Sequence, residues 1–175
     1  TLSELTVSPS DASIYTATLM PAADVEQGVT VQVVAEDYAD QAGNMAAGSA
    51  VLELSVDTLA PTVASITLDD TSLVAGETAT VTITFSEAVE NFDLADITAE
   101  NGALSNLASA DGGITWTATF TPTADIEDTS NVISVDASLV NDAAGNTGTG
   151  ILSSESYQID TVRPVVAPVA INGLD

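Results

Sequence analysis

The sequence predicts an all-β protein, built as a tandem array of seven-stranded, two-sheet antiparallel sandwiches. Three observations carry that expectation. Short segments alternate apolar and polar residues with period 2. No segment shows a convincing helical period. One peptide is written twice: Ser55-Val56-Asp57-Thr58-Leu59-Ala60-Pro61 returns as Gln158-Ile159-Asp160-Thr161-Val162-Arg163-Pro164, so 103 positions separate the two prolines. A fixed period near 100 residues is the mark of similar domains strung end to end.

In the copy that begins at Pro61, strands are expected at 63–68, 77–85, 97–100, 103–108, 114–121, 131–138 and 151–159. Thr80-Val81-Thr82-Ile83-Thr84-Phe85 sets its apolar residues on one face and its threonines on the other. Ile114-Thr115-Trp116-Thr117-Ala118-Thr119-Phe120 does the same. Threonine suits the wet face because its branched Cβ fits the pleated backbone. Turns are signalled at Asp69-Asp70, Ala75-Gly76, Asn101-Gly102, Asp111-Gly112-Gly113 and Gly145-Asn146. Asp93-Leu94-Ala95-Asp96 reads as a single helical turn before the third strand. Seven short strands without intervening helices argue for two packed antiparallel sheets. Trp116, the only tryptophan, is expected in the core, and Tyr15 takes the matching place in the preceding copy.

The repeat extends beyond the duplicated peptide. Asp40-Gln41-Ala42-Gly43-Asn44 matches Asp142-Ala143-Ala144-Gly145-Asn146, and Tyr15–Pro21 matches Trp116–Pro122. Leu2 and Leu5 fall on Leu104 and Leu107, and Asp24 and Glu26 on Asp125 and Glu127, with offsets of 101 to 103. Residues 1–60 therefore read as the back part of one repeat, 61–163 as a complete repeat, and 164–175 as the first strand of a third. The chain is expected to be an excerpt from a longer protein.

Composition narrows the function. The 45% hydrophobic fraction is enough for a core, and no apolar run is long enough for a membrane span. With no cysteine, disulfides contribute nothing. Twenty-six acidic residues face a single basic one, Arg163, giving a net charge of −25. Self-repulsion on that scale works against a compact state unless counterions relieve it. Nucleic acid and anionic lipid are excluded as partners for want of a basic patch. Divalent cations are the natural complement; a generic acidic surface that keeps the protein soluble is the alternative.

These residues resemble a known family, the bacterial immunoglobulin-like repeats of giant biofilm-associated and RTX-type surface adhesins. The matching pieces are Asp57-Thr58-Leu59-Ala60-Pro61, Phe85-Ser86-Glu87-Ala88-Val89, Phe92-Asp93-Leu94-Ala95-Asp96-Ile97, Asn101-Gly102 and Asp142–Asn146, in that order. The resemblance implies an immunoglobulin-like sandwich, export to the bacterial cell surface, tandem stacking against neighbouring repeats of the same chain and, in many members, calcium between domains. The first repeat departs from the pattern in lacking its opening strands, and the third in having only its first.

A geometric argument points to calcium on its own. Strands that alternate up and down bring the lead-in segment, the loop after the second strand and the loop after the sixth to one end of a sandwich. Asp57, Glu87 with Asp96, and Asp142 with Asn146 fall in those places. Calcium takes six to eight oxygens at about 2.3–2.6 Å, which Asp, Glu and Asn supply. Zinc and soft metals lack their preferred ligands, since histidine and cysteine are absent. Asp160 is expected to serve the next junction, whereas Asp40 and Asn44 stand without their own lead-in segment. The plainer alternative is that Asp142 and Asn146 cap a turn and Asp57 ends a strand. At the opposite end, Asp125, Glu127 and Asp128 read as a solvated loop, with a second ion as the alternative.

The expected function is a structural spacer of a surface adhesin, with calcium holding a rod straight. A glycan- or protein-binding module is the second reading, weakened by the 4% aromatic content. A fibre subunit is the third, with Val165-Val166-Ala167-Pro168-Val169-Ala170-Ile171 donating a strand to a neighbouring subunit. An enzyme is not expected: histidine is absent, and no aromatic cleft is evident for paired carboxylates to serve.

Overall fold

The period-2 alternation becomes buried faces in the computed structural model, which describes residues 1–35 and 38–168. The chain divides into two compact units, Thr1–Ala60 and a second from Pro61 onward. In the first, β1 (Thr6–Ser8) and β2 (Asp11–Thr16) form a hairpin, and β3 (Glu26–Val33) pairs antiparallel with β4 (Ala50–Asp57) in an unbroken ladder from Glu26–Asp57 to Val33–Ala50.

The second unit is an all-β sandwich. One layer is a four-stranded antiparallel sheet in the order β5 (Val63–Leu68), β7 (Ala79–Phe85), β10 (Thr115–Pro122), β9 (Gly102–Ser109). The other strands form two smaller sheets: β11 (Glu127–Asn131), β14 (Tyr157–Asp160), β6 (Ser72–Val74), and β13 (Ile151–Ser153), β12 (Ile133–Asp136), β8 (Ile97–Ala99). Val81, Ile83 and Phe85 of β7 and Phe120 of β10 turn inward onto Ile133, Val135, Tyr157 and Ile159. The threonines between them face outward or lie half-buried. Burial of this apolar face, at roughly 25 cal/mol per Å², is the main stabilising term, since no disulfide helps.

Among the described residues of the second unit, ten strands stand where seven were expected. The segments at 131–138 and 151–159 are interrupted, and β6 and β11 are additional. β6 is three residues between two turns, too short to show a period. β11 reads Glu-Asp-Thr-Ser-Asn and has no apolar alternation at all. It pairs through its backbone with β14, which on its other edge runs parallel to β6. Asp128 of β11 is therefore no solvated loop residue. Its Oδ2 accepts from the Asn101 amide at 3.1 Å, and the same amide donates to buried Asn131 at 2.6 Å. Asn131 in turn donates to the Tyr157 carbonyl. The Tyr157 hydroxyl donates to the Glu100 carbonyl at 2.7 Å, and burial, with Glu100 and Asp128 nearby, pushes its pKa up to about 12. Satisfied buried networks of this kind tie strands from different sheets together.

Trp116 is half-buried, edge-on to Phe92 at 5.3 Å, with its indole N–H donating to the Gly113 carbonyl. Tyr15 differs: it is 57% exposed. β10 is flanked by β7 and β9, whereas among the described residues β2 pairs with β1 alone. Of the expected third-repeat strand, residues 164–168 carry no strand, and Val169, Ala170 and Ile171 lie outside the described residues.

Turn carboxylates make the fold acid-sensitive. Asp111 accepts from the Thr115 N–H at 2.9 Å and the Ser109 hydroxyl at 3.0 Å, and these bonds, Thr115 foremost, hold its pKa below the ordinary 3.8. A depressed folded pKa contributes stability that is present above the unfolded value and lost as pH falls through the folded one. Asp111→Ala is thus expected to melt below the parent at pH 7. The gap should close only below about pH 3.8, which melting curves across the acid range will read.

Candidate metal centre

Local hydrogen bonding explains how distant carboxylates are brought to one end of the second sandwich. The Pro61 carbonyl accepts from the Thr149 N–H at 2.9 Å. The Thr62 N–H donates to the Ser86 hydroxyl at 3.0 Å, and the Ser86 N–H returns a bond to the Thr62 carbonyl at 2.9 Å. The Glu90 N–H donates to the Asn141 carbonyl at 2.7 Å. The lead-in segment, the loop after β7 and the loop after β12 are thereby laced together.

On that frame Glu87 and Asp142 offer carboxylate oxygens within 4.8 Å of one another. Asp142 is 4% exposed, and Asp57 and Glu87 are half-buried; one Glu87 oxygen is screened from solvent. The Asp142 loop is held by its own side chains. Oδ1 accepts from the Asn146 N–H at 2.8 Å, Oδ2 from the Asn146 amide at 2.7 Å, and the Asp142 carbonyl from the Gly145 N–H at 3.2 Å. Gly145 adopts φ 91°, a left-handed conformation that an L side chain would strain. Burial pushes the Asp142 pKa up, but the side-chain and backbone bonds from Asn146 together outweigh it and hold the group below the ordinary carboxylate value.

The Asp40 loop repeats this geometry in the first unit. Asp40 Oδ1 accepts from the Asn44 N–H at 2.9 Å and Oδ2 from the Asn44 amide at 2.8 Å, with Gly43 at φ 85°. The Asp-x-Ala-Gly-Asn motif therefore encodes a loop that presents its aspartate in a set pose, whatever lies opposite.

Asp96 does not join Glu87 and Asp142. Its Oδ2 accepts from the Asp93 N–H at 2.9 Å, completing a reciprocal cap on the 3-10 turn Leu94–Asp96. Asn146 contributes by orienting Asp142. Asp160 is exposed, its Oδ1 accepts from the Val162 N–H, and it belongs to no cluster of three carboxylates close enough to share an ion among the described residues. The motif reading passes over Thr58 and Thr161, which adjoin Asp57 and Asp160; their duplication at the same place in each copy is the signal that finds them.

The donor set suits a hard cation. Two oxygens on one calcium ion, each at about 2.4 Å, stand at most about 4.8 Å apart, and the Glu87 and Asp142 oxygens lie within that limit. Without a cation, each pair of full charges at that spacing repels by about 3 kcal/mol at an effective dielectric near 20, before solvent screening. Arg163, the lone basic side chain, borders a different cleft with Asp125, Pro122 and Thr161.

A family model described as a bacterial Ig-like domain matches the chain twice, over residues 1–56 and 57–159. The second match covers both Glu87 and Asp142. No curated protein and no solved structure matches the chain.

Proposed function

From the premise that the chain belongs to the bacterial Ig-like domain family, we propose that it is a spacer segment of a bacterial surface adhesin, stiffened by calcium where one repeat meets the next. Bacterial Ig-like domains are typical of surface proteins and are structural modules rather than enzymes. In the described residues no helix is long and apolar enough to cross a membrane.

The observation that carries the proposal is the pair Glu87 and Asp142, whose oxygens lie within 4.8 Å of one another in a chain of net charge −25. Asp57 is four residues before Pro61, whose carbonyl is bonded to the Thr149 loop. An ion that fastens Asp57 to Glu87 and Asp142 shortens the free linker and replaces repulsion with attraction. Its partners are then neighbouring Ig-like repeats of the same chain, its ion calcium, and its place the outside of the cell, where calcium is abundant enough for the weak affinities typical of extracellular modules, roughly 0.1–1 mM.

A second reading, strand addition from a neighbouring subunit, is favoured by one observation. Among the described residues the sheets of the first unit are two-stranded, with Val51, Leu52 and Tyr15 more than half exposed. Small-angle scattering separates the two. With about 5 mM calcium, several times the affinity range above, the maximum dimension should be longer and better defined than in chelator, at a mass independent of concentration. Identical curves would exclude the stiffened spacer; mass growing with concentration would favour strand addition.

A further inference from the structure

Residues 1–60 fold as the back half of the second unit does. The cross-strand pair Leu2–Leu19 returns as Leu104–Phe120, and Glu26–Asp57 returns as Glu127–Asp160. Thr58 Oγ1 donates to the Ala22 carbonyl at 2.8 Å and accepts from the Val25 N–H at 3.2 Å. Thr161 Oγ1 makes the same device, donating to the Thr123 carbonyl at 2.7 Å and accepting from the Ile126 N–H at 2.9 Å. β1 and β2 therefore stand for β9 and β10, β3 for β11 and β12, and β4 for β13 and β14. In the second unit one continuous stretch covers these strands. β7 pairs antiparallel with β10, β8 antiparallel with β12, and β6 parallel with β14. Among the described residues of the first unit, nothing equivalent pairs with β2, β3 or β4. The side chains register the difference. Val135, paired with Leu152 on one side and Ile97 on the other, is wholly buried. Val33, its counterpart seven residues before the matched aspartate, is 51% exposed.

We propose that the first unit is an acceptor for a segment of the β5–β8 kind, carried by another repeat of the same pattern. The proposal rests on the strand-addition reading above and deepens it by naming the occupant. Three open edges select that occupant. β2 needs an antiparallel strand in which apolar residues alternate with threonine, as Val81, Ile83 and Phe85 do in β7. β3 needs an antiparallel strand as β8 is to β12, and β4 a parallel one as β6 is to β14. A lone strand satisfies one edge; a segment that carries all three in this order satisfies every one. Main-chain hydrogen bonds give such an addition its affinity, and the alternate side chains its specificity. A second copy of the chain is a poor source. Among the described residues each copy holds one such segment, already seated on β10, β12 and β14. Lending it would strip the second unit of Leu73, Ile83 and Ile97, all buried in its core. Neither residues 1–60 nor residues 61–101 carry a basic side chain. The two therefore repel, and their docking should tighten as salt screens the charges.

The test adds a synthetic peptide of residues 61–101 to the full 175-residue chain, with affinity read by calorimetry and mass by analytical ultracentrifugation. The peptide should bind one to one, and more tightly in about 0.5 M salt than in about 0.05 M. A peptide with Ile83→Asp should not bind, because residue 83 lies opposite Trp116, the counterpart of Tyr15. Ala17→Pro in the chain locates the peptide. The Thr18 and Met20 N–H groups donate to Ser3 Oγ and the Thr1 carbonyl on the β1 side, so Ala17 between them turns its N–H to the open edge. Proline is tolerated on such an edge and bars a partner. Ala17→Pro should weaken the peptide about tenfold. A peptide bound as tightly by this variant is not seated on β2, and the inference falls. A chain that takes no peptide but grows in mass with concentration has a second copy as its occupant; the inference then falls and strand addition stands. A chain that does neither overturns both. Hydrogen exchange on the unmutated chain gives a check that no unfolded variant can spoil. Amides of β2, β3 and β4 should slow when the peptide is added; slowing confined to the second unit overturns the inference.

Discussion

Excess chelator is expected to lower the melting temperature of the calcium-loaded chain by about 10–20 °C. An ion bound only by the native state, at about 100 times its dissociation constant, stabilises by about 2.7 kcal/mol. For a domain of roughly 100 residues, each kcal/mol moves the midpoint by about 4–8 °C. The native state alone brings Glu87 and Asp142 within 4.8 Å; in the unfolded chain they are 55 positions apart, and no shared ion survives there. Asp142→Asn should abolish the difference between calcium and chelator while leaving the chelator midpoint within a few degrees of the parent. It removes one negative charge from the pair, and its amide oxygen still accepts the Asn146 N–H. Asp70→Asn is the matched control. Asp70 caps a turn by accepting from the Ser72 N–H, remote in sequence from both carboxylates, and this variant should keep the full calcium increment. Superimposable melts of the parent in calcium and chelator would reduce the Asp142–Asn146 loop to a capped turn.

The approach of Glu87 to Asp142 was legible in the sequence because it depends on strand order, and strand order was written in the alternation of residues such as Val81, Ile83 and Phe85. What escaped was whatever does not alternate. β6 is too short to carry a period, and β11 is held by backbone pairing and by the Asn101–Asn131–Asp128 network rather than by an apolar face. Asp96 shows the limit of assigning carboxylates from placement alone. It sits near the correct loop, yet its oxygen is turned back onto the Asp93 N–H. Aspartate is both a good calcium ligand and a good turn cap, and the choice is made by backbone geometry that a motif does not specify. Thr58 escaped for a related reason. A threonine between an aspartate and a leucine carries no chemical signature, and only the matching bonds of Thr161 identify it as part of a device.

Phe120→Ala carries the second large effect, and it separates the contribution of the core from that of the ion. Phe120 is fully buried, packs edge-on against Tyr157 at 5.2 Å, and lies so close to Gly102 that a side chain there would run into the ring. Truncating a buried phenylalanine costs about 3–5 kcal/mol, part from lost transfer energy and part from the cavity left behind. The second unit should then melt at least about 12 °C lower. Phe120 pairs with Ala79, at the far end of β7 from the Phe85 end that leads to Glu87. Six residues of strand put the two about 20 Å apart, beyond the range at which substitutions couple. The losses should therefore add: Phe120→Ala falls by the same amount in calcium and in chelator, and the calcium increment stays intact. An increment that disappears in Phe120→Ala would mean that the carboxylate pair is shaped by core packing rather than by its own loops, contrary to the self-sufficient hydrogen bonding of Asp142 with Asn146 and of Asp40 with Asn44.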